Sequence, residues 1–108
     1  YTMASIIKHI VTNLNNLLKD TDLAVASLDE IIKKTSKDNS KTGIFNNAGQ
    51  HWNHILFWQC MKPNGGGSIP SELEARLNND FGSVDQFKEA FIQAGTTQFG
   101  SGWAWLDS

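Results

Sequence analysis

The chain has one cysteine, Cys60, and only two prolines and one tyrosine in 108 residues. A lone thiol excludes an internal disulfide framework and a multi-cysteine zinc site, and it suits a reducing compartment. Cationic excess is missing too: 9 Lys+Arg stand against 11 Asp+Glu, for a net charge of -2. Proteins that hold nucleic acid through its phosphates need clustered cations, so no nucleic-acid partner is expected. No apolar run reaches bilayer-spanning length, and the first residues lack the pattern of a secretory signal. The expectation is therefore no membrane partner and a cytoplasmic location. Hydrophobic residues at 40% and charged residues at 19% are ordinary globular usage, which argues against wholesale disorder. The length allows one domain at most, or a piece of a larger one.

Aromatics are plentiful but unevenly placed. All six Phe and four Trp fall between Phe45 and Trp105, so large buried area is concentrated in the later part of the chain. Before them, Ile6, Ile7, Ile10, Leu14, Leu17 and Leu18 recur at three and four, which predicts an amphipathic helix over Met3 to Leu18. Its polar side carries only Lys8 and His9 in place of a basic rim, too little for a membrane-surface peptide. Asp20-Thr21-Asp22 ends that helix. Ser27, with Glu30 three places on, has capping-box spacing for a short helix with Leu28, Ile31 and Ile32 facing inward, and Lys33 to Lys41 reads as an exposed connection.

A second long helix is predicted from Ile44 to Met61, with Phe45, Ala48, Trp52, Ile55, Leu56 and Cys60 on one broad face. Pro63-Asn-Gly-Gly-Gly67 stops it and reads as a linker. A phosphate cradle there would need a preceding strand and a following Lys-Ser/Thr, and neither is present. Pro70 and Ser71 open a helix through Asn79 with Leu73 and Leu77 on one face. Ser83 caps another over Val84 to Thr97 with a stripe of Phe87, Ala90, Phe91 and Ala94. From Phe99 the period changes to two, with Trp103 and Trp105 on one side, which predicts a strand. A lone strand cannot satisfy its backbone groups, so the chain has the look of one cut short.

Chemistry-bearing residues cluster on the second long helix. Gln50 and His54 are four apart and share a face, with Trp58 one turn further. His51 and His54, three apart, have chelating spacing, but His51 has no nearby carboxylate to complete a site. Taken alone, a single helical histidine is more often a satisfied core or boundary residue than a ligand.

The strings Phe45-Asn-Asn-Ala-Gly-Gln-His-Trp-Asn-His54-Ile-Leu-Phe-Trp58, Pro63-Asn-Gly-Gly-Gly67, Asp80-Phe-Gly-Ser and Phe99-Gly-Ser-Gly-Trp-Ala-Trp-Leu106 resemble the iron/manganese superoxide dismutases. Asn13-Leu-Asn-Asn-Leu with Lys19-Asp-Thr, and Ser27-Leu-Asp-Glu-Ile-Ile, resemble that family's first helical region, so the likeness runs in order from about Val11 to Leu106. The resemblance implies a mostly α chain: an antiparallel helical hairpin over 1–62, a Gly-rich linker over 63–69, and over 70–108 the first helices and first strand of an α/β carboxyl-terminal domain. It implies one iron, or manganese, per complete subunit, held by three His and one Asp, and disproportionation of superoxide. His54 takes the place of the second ligand. Gln50 takes that of the iron-type outer-sphere residue that hydrogen-bonds the metal-bound solvent, and Trp58 and Trp103 take those of the pocket wall. Family members are homodimers or homotetramers.

The beginning departs from the pattern. The family's segment commonly reads Y-H-H-G-K-H-H-Q-T-Y-V with the first ligand directly after the first Tyr, and here it is Tyr1-Thr-Met-Ala-Ser-Ile-Ile-Lys-His-Ile-Val11. Thr2 stands at the ligand place and Ile10 at that of the Tyr in the substrate funnel. The third and fourth ligands belong to a later D-x-W-E-H element that this sequence does not contain. One ligand of four is recognisable, so the chain by itself is not expected to bind the metal well. The alternative function is a non-catalytic helical scaffold that has lost the metal site. The genetic code offers an origin for the mismatch. Write the family segment as TAT CAC CAT GGC AAG CAT CAT CAA ACA TAT and drop the first C of the second codon. The result is TAT ACC ATG GCA AGC ATC ATC AAA CAT AT, which translates as Tyr1 to Ile10. A frameshift closed by one inserted base before Val11 is therefore expected in the coding DNA.

Overall fold

A computed structural model describes residues 3–100 and 102–108, the side chain of Met3 excepted. Tyr1 and Thr2, with the ligand place assigned to Thr2, and Ser101 lie outside the described residues. The chain divides into two compact units, Tyr1–Gly65 and Gly66–Ser108.

The first unit is built from α1 (Met3–Leu18), α2 (Leu28–Thr35) and α3 (Thr42–Gln59). Asp20, at φ 64°, turns the chain after α1, and the Thr21 hydroxyl donates to the Leu18 carbonyl at 2.6 Å, satisfying one of the helix's last acceptors. Ser27 caps α2: its Oγ accepts from the Glu30 backbone N–H at 3.3 Å. This helix runs on to Thr35, past the start of the connection expected at Lys33. The reason is burial. Thr35 is packed inside, where its hydroxyl donates to the Ile31 carbonyl at 2.6 Å and so needs no water. A short 3₁₀ turn over Asn39–Lys41, capped by Asp38, leads into α3.

The core of this unit joins Leu14 and Leu18 of α1, Leu23, Ile31 of α2, and Ile44 and Ala48 of α3, with Leu28 and Ile32 packed against it. The buried stripe of α3 therefore centres on Ile44 and Ala48. That corrects the expected face: Trp52 and Ile55 are 39% and 41% exposed, and Cys60 is exposed. An amphipathic stripe wider than the partner helices can cover leaves its outer rows in solvent, and only the row facing α1 and α2 is buried.

The second unit holds α4 (Ser71–Phe81) and α5 (Val84–Thr97). Gly82 supplies the left-handed turn between them at φ 91°, and Ser83 Oγ accepts from the Gln86 N–H at 3.0 Å to start α5. Leu77 is its one buried hydrophobic among the described residues. Phe81, Phe87 and Phe91 form a ladder with ring centroids 5.3 and 5.6 Å apart, yet α5 buries none of its residues. The strand expected from Phe99 is not formed among the described residues, because a strand exists by its ladder and no neighbouring strand is there to pair with it. No helix among the described residues is long and apolar enough to cross a membrane.

Candidate metal centre

α3 carries Gln50, His54 and Trp58 on successive turns, and all three side chains are half-buried. His54 Nδ1 lies 2.7 Å from the backbone carbonyl oxygen of Gln50. A carbonyl oxygen only accepts, so Nδ1 carries the proton and donates. In a neutral ring with that tautomer the lone pair is on Nε2, the nitrogen an imidazole then offers a metal. The Trp58 ring is 6.3 Å from the His54 ring at 46°, and Phe57 lies 5.5 Å from Trp58 at 38°. The Trp58 ring thus lies beside the imidazole, and Phe57 packs on the ring of Trp58.

Gln50 also lines a groove of about 690 Å³ between α2 and α3, with Trp52 and Phe45 as its apolar wall and Asp29 and Lys33 at its rim. Trp103, the other expected wall residue, belongs to the second unit, half-buried with its ring 6.5 Å from that of Trp105. His51, one residue from Gln50, is turned away from the Gln50–His54 face by the helical twist of about 100° per residue. Its Nδ1 is buried and, among the described residues, has no hydrogen-bond partner.

Sequence spacing pointed to Gln50, His54 and Trp58 as one face, and α3 brings them together. It did not point to the Gln50 main-chain carbonyl as the group that orients His54, although the separation of four residues is the signal for it. Phe57 beside Trp58 was also missed, since neighbours in sequence usually diverge on a helix.

Two family models match the chain in order. The α-hairpin domain of the iron/manganese superoxide dismutases matches residues 7–62, and the family's C-terminal domain matches 69–108. This chain belongs to the iron/manganese superoxide dismutase family. It is 57% identical over 96 residues to a superoxide dismutase [Fe] of Synechocystis, covering 89% of this chain and 48% of that protein. The figures are 57% over 99 residues, 92% and 50%, for a superoxide dismutase [Fe] of Nostoc. For a superoxide dismutase [Mn/Fe] of Rickettsia conorii they are 53% over 97 residues, 89% and 46%. The chain spans about half the length of the curated relatives it matches.

The family implies a redox metal, and the donor set tests that implication. His54 is one candidate donor, but no group of three His, Cys, Asp or Glu among the described residues is placed to hold an ion. One imidazole does not hold a divalent metal against water. The described residues alone do not fit the group.

Proposed function

We propose that this chain is the amino-terminal to central part of an iron-type superoxide dismutase. The whole protein would convert two superoxide ions and two protons to one dioxygen and one hydrogen peroxide, with an iron or manganese ion as the electron carrier. The observation that supports this most is the pairing of His54 Nδ1 with the Gln50 carbonyl, on the face where the family places a ligand and its outer-sphere glutamine. In this reading His54 offers Nε2 as one of four ligands. The Gln50 carboxamide stands one turn away as a hydrogen-bond partner for solvent at the centre. Trp58 would stand beside His54 as the pocket wall and keep water from it, which would strengthen every electrostatic interaction inside it. The iron assignment rests on Gln50 itself, since manganese-type members usually have Gly there. Superoxide is the small-molecule partner; a homodimer or homotetramer in a cytoplasmic setting completes the proposal.

For the chain by itself, a second reading has its own support: without a triad of donors among the described residues, it acts as a helical scaffold and not as a catalyst. One experiment separates the two. Metal content and dismutase turnover are measured on the purified chain, and again after the His-rich first segment and the carboxyl-terminal half of a relative are restored. Gain of both supports the dismutase reading. A restored protein that folds but takes up neither iron nor manganese would leave the scaffold.

A further inference from the structure

Past the end of α3 the chain makes one tight turn. The Gly65 N–H donates to the Lys62 carbonyl at 3.1 Å, with Pro63 and Asn64 in the two central places. Proline presets φ at the first of them. The second has φ 56°, in the left-handed region that asparagine tolerates better than most residues. The place after it suits only glycine, because a Cβ there would stand 3.0 Å from the Lys62 carbonyl oxygen and 3.2 Å from Lys62 Cγ. Two separate demands of one turn thus set Asn64 directly before Gly65. That pairing is the one in which an asparagine is chemically least durable. Its Cγ can close a five-membered ring with the backbone nitrogen of the next residue, and a glycine there has no side chain to block the approach.

We propose that Asn64 is a site of spontaneous deamidation. The Gly65 nitrogen gives up its proton and bonds to Asn64 Cγ, the Cγ–Nδ2 bond breaks, and the amide leaves with a proton as ammonia. Water then adds to one or the other carbonyl of the cyclic imide and opens it. The products are aspartate, or isoaspartate with the main chain running through the former side chain. Either adds one negative charge to the chain's -2, and the isoaspartyl form lengthens the main chain of the turn by one carbon. The step needs no metal and stands whether or not the dismutase reading does.

The surroundings leave this reaction open at Asn64 and hinder it elsewhere. Met61 to Ser68 are all exposed, so water and hydroxide reach both reacting atoms. The bond that holds the Gly65 N–H lies outside any helix at the surface, where hydrogen bonds open at least cost. Every other asparagine lies in α1, α3, α4 or the 3₁₀ turn over Asn39–Lys41, and none of them precedes a glycine. Within a helix the following N–H is committed to a carbonyl one turn back. After Asn39, the Ser40 N–H donates to Asp38 Oδ1 at 3.0 Å.

The test incubates the purified 108-residue chain at body temperature and mildly alkaline pH and follows its peptides by mass spectrometry. A methyltransferase specific for isoaspartate marks that product. The peptide holding Asn64 should be converted several-fold faster than any other asparagine-containing peptide, and isoaspartate should be among its products. Conversion should quicken as pH rises, since the attacking nitrogen must lose its proton. Asn64→Gln, which would have to close a six-membered ring, should abolish the change at this peptide. An Asn64 peptide that stays intact, or one matched in rate by another asparagine peptide or by the Asn64→Gln chain, would overturn the proposal.

Discussion

His54 and His51 sit three residues apart on α3, and their nitrogens meet opposite fates. His54 Nδ1 has the Gln50 carbonyl at 2.7 Å, whereas His51 Nδ1 is buried beside no partner among the described residues. The two should answer to mutation differently. In a protein given the family's His-rich first segment and the carboxyl-terminal half of a relative, His54→Ala should abolish stoichiometric metal binding and turnover together, because a four-ligand site that loses an imidazole loses affinity and geometry at once. His51→Ala should leave the metal bound, as its ring is turned from the Gln50–His54 face. Metal analysis beside an activity assay checks both. In the chain as it stands, His51→Leu should raise stability by about 1 kcal/mol, by replacing an unpaired polar atom with an apolar group of similar size. A lowered unfolding midpoint would show that the nitrogen has a partner after all. At this scale the sequence was legible where a helix repeats: a spacing of four residues put Gln50 and His54 on one face. The fate of His51 was not, because burial depends on which side α1 covers.

Helix ends were the most legible features, since caps are local chemistry. Ser27 and Ser83 each accept from the backbone N–H three residues on, as their positions before α2 and α5 suggested. Substituting either with Ala should cost about 1 kcal/mol of local helix stability, read as lost helicity or faster amide exchange in the first turn. No change in exchange would show that the bond contributes nothing in solution. Asp38, before the 3₁₀ turn, accepts at Oδ1 from the Ser40 hydroxyl at 2.6 Å and the Ser40 backbone N–H at 3.0 Å. Those bonds, with Lys41 adding a small attraction, hold its carboxyl below the usual range. A depressed carboxyl contributes stability above its unfolded value and loses it as pH falls through its folded value. Amide protection at Ser40 should therefore fade only at strongly acid pH, and Asp38→Asn should blunt that fading. Protection that does not change with pH would contradict the cap. The interior stripe of α3 and the expected strand at Phe99 were misjudged for one shared reason: both depend on neighbours, a covering helix in one case and a pairing strand in the other, that periodicity cannot see.

Across the whole molecule, apolar surface outruns cover. The second unit buries Leu77 alone among its described hydrophobics, while Phe91, Trp105 and Leu106 stay at least 39% exposed and Phe99 is 98% exposed. Apolar surface of that extent drives association or loose packing. The purified chain should therefore bind a hydrophobic dye and lack dismutase turnover, and Val11 to Met61 should keep more helicity than the residues after Gly67. Hydrogen exchange resolved along the chain checks the last point, and equal protection in both units would contradict it. The family likeness was legible because its motifs are contiguous strings; the missing donors were legible only as departures from them. The most direct measurement is therefore the metal content of the protein with the His-rich segment and the carboxyl-terminal half restored, with His54 intact and with His54→Ala. Stoichiometric iron or manganese in the first and none in the second is the predicted result. Equal metal in both would contradict the claim that His54 Nε2, oriented by the Gln50 carbonyl, is a ligand.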